Sequence, residues 1–234
     1  MKREEYINKI LQIYSIVEAL STKNECKVLR LRHRENRKDI VLRSYLRQVD
    51  AYEALVKIRC VNLPEILDVI AVDDGQIVLE EHISGMTVAQ IMETNHFQNQ
   101  GARHIMIELC HALNVLHSRG LVHRDIKPEN IMISDSGRVV LIDFNASRQV
   151  KNRNRDTVIM GTVGYASPEQ LGLSQTDART DIYAAGVLYN VMLTGQHPSV
   201  TIASGKAGRI VRKCTAVNPD ERFQTAIELW TALQ

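Results

Sequence analysis

Apolar positions change their period partway along the chain. Up to about residue 82 they fall in short β-type runs: residues 27–32 and 39–45 flank the polar turn Glu35-Asn36-Arg37-Lys38 like a hairpin, and Ala71-Val72 and Ile77-Val78-Leu79 flank Asp73-Asp74-Gly75 likewise. Between them Val49, Tyr52 and Val56 recur at spacings of three and four, which predicts one helix ending before Pro64. Beyond Gly85 the spacing is helical. Ile105, Leu109, Ala112 and Leu116 form one stripe, with Gly120 as its left-handed stop. Further helices are expected over residues 181–193, ended by Gly195, over 208–215, ended before Pro219, and over 225–233. Two short β-type runs, Ile131-Met132-Ile133 and Val139-Val140-Leu141-Ile142, interrupt this helical half and are joined by the turn Ser134-Asp135-Ser136-Gly137.

Composition narrows the class. A chain of 234 residues suits one large domain or two small, intimately packed lobes. Hydrophobic residues at 44% and charged residues at 24% exclude a disordered, collagen-like or disulfide-scaffold protein. With 29 Lys and Arg against 27 Asp and Glu, the net charge of +2 gives no reason to expect nucleic acid as a partner. Cys26, Cys60, Cys110 and Cys214 form no CxxC pair, so reduced thiols and a cytoplasmic location are expected and a structural zinc is not. The amino terminus has no apolar signal region, and the longest apolar stretch, residues 182–193, is too short to span a bilayer. No membrane segment is expected in this chain.

The polar chemistry gathers around the second hairpin. The segment His123-Arg124-Asp125-Ile126-Lys127-Pro128-Glu129-Asn130 ends where its first strand begins, and Asp143-Phe144-Asn145 starts where its second strand ends. A hairpin brings its two ends together, so Asp125, Asn130 and Asp143 can converge. They offer oxygen ligands for a hard divalent cation and a carboxylate free to act as a base. Lys127, two residues after Asp125, can neutralise charge on a transferring phosphoryl group. Such residues are common in loops, but six fixed types in one window arise by chance with a probability of about 10⁻⁸ at ~5% per type. The set suits magnesium-assisted phosphoryl transfer.

These motifs resemble those of eukaryotic-type protein kinases, especially the bacterial serine/threonine kinases, and the resemblance covers residues 28–222. It implies an α+β, two-lobed protein-kinase-like fold, with a mostly β lobe over residues 1–82, a mostly helical lobe over 83–234, and ATP expected between them. The implied activity is transfer of the ATP γ-phosphoryl group to a serine or threonine hydroxyl of a protein with Mg²⁺. By the same resemblance Asp125 is the catalytic base, Lys127 the loop lysine, and Asn130 and Asp143 the metal ligands. Val28, Val41 and Met132 would sandwich adenine, while the Glu81 carbonyl and the Ile83 amide bond its edge. Gly161-Thr162-Val163-Gly164-Tyr165 resembles the substrate-facing loop, with the Thr162 hydroxyl expected to engage Asp125 and Lys127. Ser167-Pro168-Glu169 stands where the family has Ala-Pro-Glu, with Arg222 as the partner of Glu169, and Asp181 is expected to hold the catalytic-loop backbone. Arg124 is implied to receive a phosphorylated activation-loop residue, expected at Thr157, beside Arg148, Lys151, Arg153 and Arg155.

Three positions depart from the pattern, all concerned with nucleotide. Residues 20–27, where a glycine-rich loop is expected, contain no glycine, although Ser21, Thr22 and Asn24 tolerate tight turns. Arg43 stands where the family has lysine, with Glu53 as its expected helix partner and Lys27 as a second cation one strand away. Asn145 replaces a glycine, as the side chain that best tolerates positive φ. These departures keep open an alternative, a pseudokinase acting as a nucleotide-binding or regulatory module. A small-molecule phosphotransferase is disfavoured by Thr162 and the Ser167-Pro168-Glu169 segment. Residues 27–47 also carry eight Lys and Arg against Glu35 and Asp39, expected as the wet face of a hairpin in preference to an anion-binding patch.

Overall fold

The computed structural model describes residues 1–23, 26–94, 97–149, 162, 164–171 and 175–234. They fall into two compact units, Met1–Cys60 with Pro64–Ile83, and Val61–Leu63 with Ser84–Gln234. The first is rich in strands and the second in helices, the α+β composition expected of the resemblance.

The first unit runs α1 (Arg3–Ile13), β1 (Tyr14–Lys23), β2 (Cys26–His33), β3 (Asp39–Tyr45), α2 (Ala51–Leu55), β4 (Ile66–Val72) and β5 (Gly75–Glu81). The strands form one antiparallel sheet in the order β1-β2-β3-β5-β4. Both hairpins expected from the sequence are present. Gly75 closes the second, at φ 150°, where an added Cβ would stand 1.9 Å from the Tyr45 carbonyl oxygen. One face of the sheet buries Leu29, Leu31, Ile40, Leu42, Ile77 and Leu79, and Tyr6, Ile7, Ile10 and Leu11 of α1 pack against them. The opposite face carries Val28, Val41, Arg43, Val78 and Glu80, because Val28 pairs with Arg43, Arg43 with Val78, and Val41 with Glu80.

Three features of this unit depart from the sequence expectation. Helix α1 and strand β1 were not expected. α1 is held by Glu5, whose carboxylate accepts from Lys2 N at 3.3 Å, and by Asp74, which accepts from Arg3 N at 2.8 Å. The β1–β2 ladder continues to the Lys23–Cys26 pair, so Ser21 and Thr22 are strand residues opposite Val28 and Lys27. Asn24, expected to tolerate a tight turn, lies outside the described residues. Finally, α2 is a helix of five residues that ends at Leu55. The β-branched Val56, Ile58 and Val61 disfavour its continuation, and a turn from Ile58 N to Leu55 O at 2.8 Å ends it.

The second unit contains β6 (Gly85–Thr87), α3 (Val88–Thr94), α4 (Asn99–His117), β7 (Leu121–Val122), β8 (Ile131–Ser134), β9 (Val139–Leu141), β10 (Arg148–Gln149), α5 (Ala178–Thr194), α6 (Gly205–Cys214) and α7 (Ala226–Leu233). The expected stripe of α4 is buried, and Gly120 follows it at φ 69°. Helix α5 is buried along most of its length, starts at Asp177, whose carboxylate accepts from Arg179 N, and stops at left-handed Gly195. At Gly186 a Cβ would come within 2.2 Å of the Cys214 Cβ, so the missing side chain lets α5 and α6 approach. Strands β8 and β9 form the expected hairpin beside β6, and β10 pairs with β7. Among the described residues no helix is long and apolar enough to cross a membrane.

Candidate active site

The segment between β7 and β8 is fixed by one carboxylate. Asp181, in the first turn of α5, is fully buried and accepts from His123 N (2.9 Å) and His117 Nε2 (2.8 Å) through Oδ2, and from Arg124 N (2.7 Å) through Oδ1. Burial alone would raise this carboxyl, but the bond and charge of His117 and the amide donors outweigh it and hold its pKa below the usual value. These contacts sustain Arg124 at φ 66°, a conformation that costs a non-glycine residue. Gln170 adds a further tether from the other side, donating to the Arg124 carbonyl at 2.9 Å while its Oε1 accepts from Ser167 N at 3.1 Å. Gln170 was not singled out in the sequence, where nothing marks it except its place after Ser167-Pro168-Glu169. Arg124 Nε donates to Ala146 O at 2.8 Å. His123 is buried with its Nε2 3.2 Å from the Ile142 carbonyl and its ring edge-on to Phe144, and burial keeps its pKa low.

Three side chains converge on Asp125. Thr162 Oγ1 donates to Oδ1 at 2.7 Å, Asn130 Nδ2 to Oδ2 at 2.8 Å, and Lys127 Nζ lies 2.8 Å from Oδ2. Lys127 also donates to Thr162 Oγ1 at 2.8 Å, so a single hydroxyl touches both the carboxylate and the ammonium. Burial pushes the Asp125 pKa up, but the Lys127 and Thr162 bonds and the Lys127 charge prevail and lower it. Asp125 is therefore ionised near neutral pH and oriented on three sides, as a proton acceptor needs to be.

Asn130 and Asp143 are brought together by the hairpin, since Ile142 N donates to the Asn130 carbonyl at 2.9 Å. Asn130 Nδ2 also donates to the Asp125 carbonyl at 2.8 Å, so both amide protons are engaged and Oδ1 remains as an acceptor for a hard cation. Asp143 sits at φ 65° and accepts from Asn145 N at 3.3 Å. The left-handed residue of this turn is thus Asp143, and the positive φ expected of Asn145 is absent. Among the described residues no three His, Cys, Asp or Glu side chains gather into a metal site. The donors present fit Mg²⁺, which commonly takes one or two protein oxygens and completes its shell with phosphate and water.

In the first unit the expected Arg43–Glu53 pair does not form. Glu53 is exposed on the one and a half turns of α2, whereas Arg43 Nε donates to Glu80 Oε1 on β5 at 2.7 Å, with both side chains at most 9% exposed. Lys27 is exposed. Val28 and Val41 are buried on the same sheet face as Arg43, Ile83 is buried, and Met132 is partly buried in β8. Glu81 N donates to Glu65 O at 2.8 Å, and Glu65 N donates back to Glu81 Oε2 at 3.1 Å. Two arginines of the basic stretch close on Asp39, Arg30 Nε at 2.7 Å and Arg32 Nε at 2.6 Å; the Arg32 bond, against burial, lowers its pKa strongly.

Arg222 Nη1 and Nη2 donate to Glu169 Oε1 and Oε2 at 2.7 and 2.9 Å. The remaining guanidinium donors reach the carbonyls of Ala216, Arg179 and Val217, which accounts for all five N–H groups. Arg148 stands in β10 opposite Val122, just before His123. Thr157, Lys151, Arg153 and Arg155 lie outside the described residues.

A sequence profile described as protein kinase domain matches residues 12–231. The serine/threonine-protein kinase PknB of Mycobacterium leprae is 33% identical over 179 residues, covering 65% of this chain and 29% of that protein. The probable serine/threonine-protein kinase PknB of Lactococcus lactis is 34% identical over 148 residues, covering 62% of this chain and 24% of that protein. The chain thus spans less than a third of the length of these relatives. With the profile extending over nearly all of the chain and the Asp125 and Asp143 segments in place, the chain belongs to the protein kinase family.

Proposed function

We propose that the chain transfers the γ-phosphoryl group of ATP to a serine or threonine hydroxyl of a protein substrate, with Mg²⁺. The observation that carries this reading is the Asp125, Lys127 and Thr162 triangle, in which an ionised carboxylate and an ammonium meet at one hydroxyl. ATP with its metal supplies the electrophilic phosphoryl group. Asp125 orients the attacking hydroxyl and accepts its proton, and Lys127 offsets negative charge growing on the phosphoryl oxygens. Asn130 Oδ1 and the Asp143 carboxylate hold the cation, while Asp181 keeps the loop in register. Val28, Val41 and Met132 contact adenine, with the Glu81 carbonyl and Ile83 amide as its edge partners, and Arg43 is the phosphate cation of the first unit.

The mycobacterial and lactococcal relatives are named as serine/threonine kinases, which supports a hydroxyl acceptor. A pseudokinase reading has no observation in its favour beyond Arg43 and the glycine-free segment, and an inert module has no need of an ionised, triply oriented Asp125. Control by phosphate on Thr157, received by Arg124, extends the same reading. The test is a Mg²⁺-dependent ADP titration together with phosphate transfer from ATP to a generic basic protein. Binding with transfer supports the kinase, binding without transfer supports a nucleotide-binding pseudokinase, and no binding refutes the kinase and leaves a purely regulatory module.

A further inference from the structure

The family resemblance places a cation on β3 and its carboxylate partner on the following helix. Here that helix has five residues and its glutamate, Glu53, faces solvent. The carboxylate that meets Arg43 comes from the adjacent strand. Arg43 pairs in register with Val78, and Glu80, two residues further along β5, projects from the same face. The diagonal is short enough for the 2.7 Å bond between Arg43 Nε and Glu80 Oε1. Val28 and Val41, proposed as adenine contacts, occupy this same face.

We infer that Glu80 is the positioning residue for Arg43, holding its guanidinium toward nucleotide phosphate in place of the helix glutamate. This inference rests on the kinase reading and adds a residue to it. The chemistry favours the arrangement. Arginine carries a planar, permanently charged fork, so one bond through Nε fixes the plane of the whole guanidinium, which a single bond to a lysine ammonium does not. Both partners sit on paired strands of one sheet, so the bond forms whenever β3 and β5 pair. The orientation of the cation is therefore set by sheet register and does not depend on the placement of α2.

The experiment is a double-mutant cycle on ADP·Mg²⁺ affinity, with steady-state transfer and melting temperature measured alongside. Glu80→Gln keeps the shape and removes the charge. It is expected to weaken ADP affinity and raise the KM for ATP by about tenfold, with a smaller change in kcat. Glu80→Asp should recover part of the affinity, and Glu53→Gln should leave it within twofold. In the Arg43→Met background, Glu80→Gln should add nothing, since Glu80 acts through Arg43. Removing both charges together, as Arg43→Met/Glu80→Met, provides a folded reference if a lone buried charge prevents folding. Unchanged or tighter binding by Glu80→Gln overturns the inference, as does an equal loss in both backgrounds or a loss on Glu53→Gln as large as on Glu80→Gln. If the unmodified protein binds no nucleotide, the kinase reading falls as well. Binding that ignores Glu80 refutes only the positioning role.

Discussion

Asn130 gives one amide proton to the Asp125 carboxylate and the other to the Asp125 carbonyl, both at 2.8 Å. The proposed metal ligand and the proposed base are thereby locked into one unit, with the Asn130 oxygen pointing away from the carboxylate it steadies. Loss of either side chain disturbs the other, yet their chemical duties stay separable.

That separation is measurable. Asp125→Ala is expected to lower transfer by about 10²–10⁴-fold while leaving ADP·Mg²⁺ affinity within a few-fold, because a general base acts on the chemical step. Asp143→Ala is expected to abolish the Mg²⁺ dependence of nucleotide binding. Calorimetric titration with and without Mg²⁺ distinguishes the two, and equal losses of affinity contradict the assignment.

The Glu169–Arg222 fork is a stability element. Arg222→Met leaves a buried carboxylate whose low pKa depends on that guanidinium against the opposing effect of burial. A loss of about 3–5 kcal/mol is expected in urea unfolding, and the double change Glu169→Met/Arg222→Met should recover much of it. A single variant as stable as the parent contradicts this account.

Acid sensitivity follows from His123. Its folded-state pKa is depressed, mainly by burial, below the ordinary value of about 6.5. The unfolded chain then binds a proton that the native state refuses, so stability is full above pH ~6.5 and falls as pH drops from there toward the folded-state pKa. His82, depressed by burial and by Arg30, contributes with the same sign. The slope is at most ~1.4 kcal/mol per pH unit for each histidine. His123→Phe is expected to remove its share of the slope and keep that of His82. Melting temperatures between pH 7 and 5 provide the check, and an unaltered slope rules out His123 as a source.

Helix α1 should matter for folding more than for chemistry. Ile7 and Ile10 are partly buried against the sheet face opposite Arg43. Ile10→Ala is expected to cost about 1–3 kcal/mol, less than a full core truncation, with kcat within twofold. A large kcat effect in folded protein would place α1 in the catalytic machinery.

Much of this could be read from the chain because periodicity and local motifs suffice for it. The hairpins around residues 35 and 74, the α4 stripe and the glycine stops are local patterns, and so is the run from His123 to Asn130. Helix α1 was missed because Lys2, Arg3, Glu4, Glu5 and Lys9 mask a narrow stripe of Tyr6, Ile7, Ile10 and Leu11. β1 was missed because it is an edge strand whose Ile16, Val17 and Leu20 are exposed, so its apolar residues do not alternate with burial. The helix after Val49 was overextended because i, i+3 spacing continues past the point where β-branched residues stop it. The partner of Arg43 was misassigned for a different reason. Glu80 is 37 residues away, and only the β3–β5 register brings it near.

Strand β2 lies inside the sheet, with β1 on one side and β3 on the other. The main-chain amides of Cys26–His33 are therefore turned toward one neighbour or the other along the ladders, and few are left to cradle an oxyanion. An anion approaching β2 itself therefore meets the charge of side chains on this sheet, such as Arg43, more than peptide dipoles of the strand. Its capture is then a matter of point charges and screening, so nucleotide affinity should decline steeply as ionic strength rises.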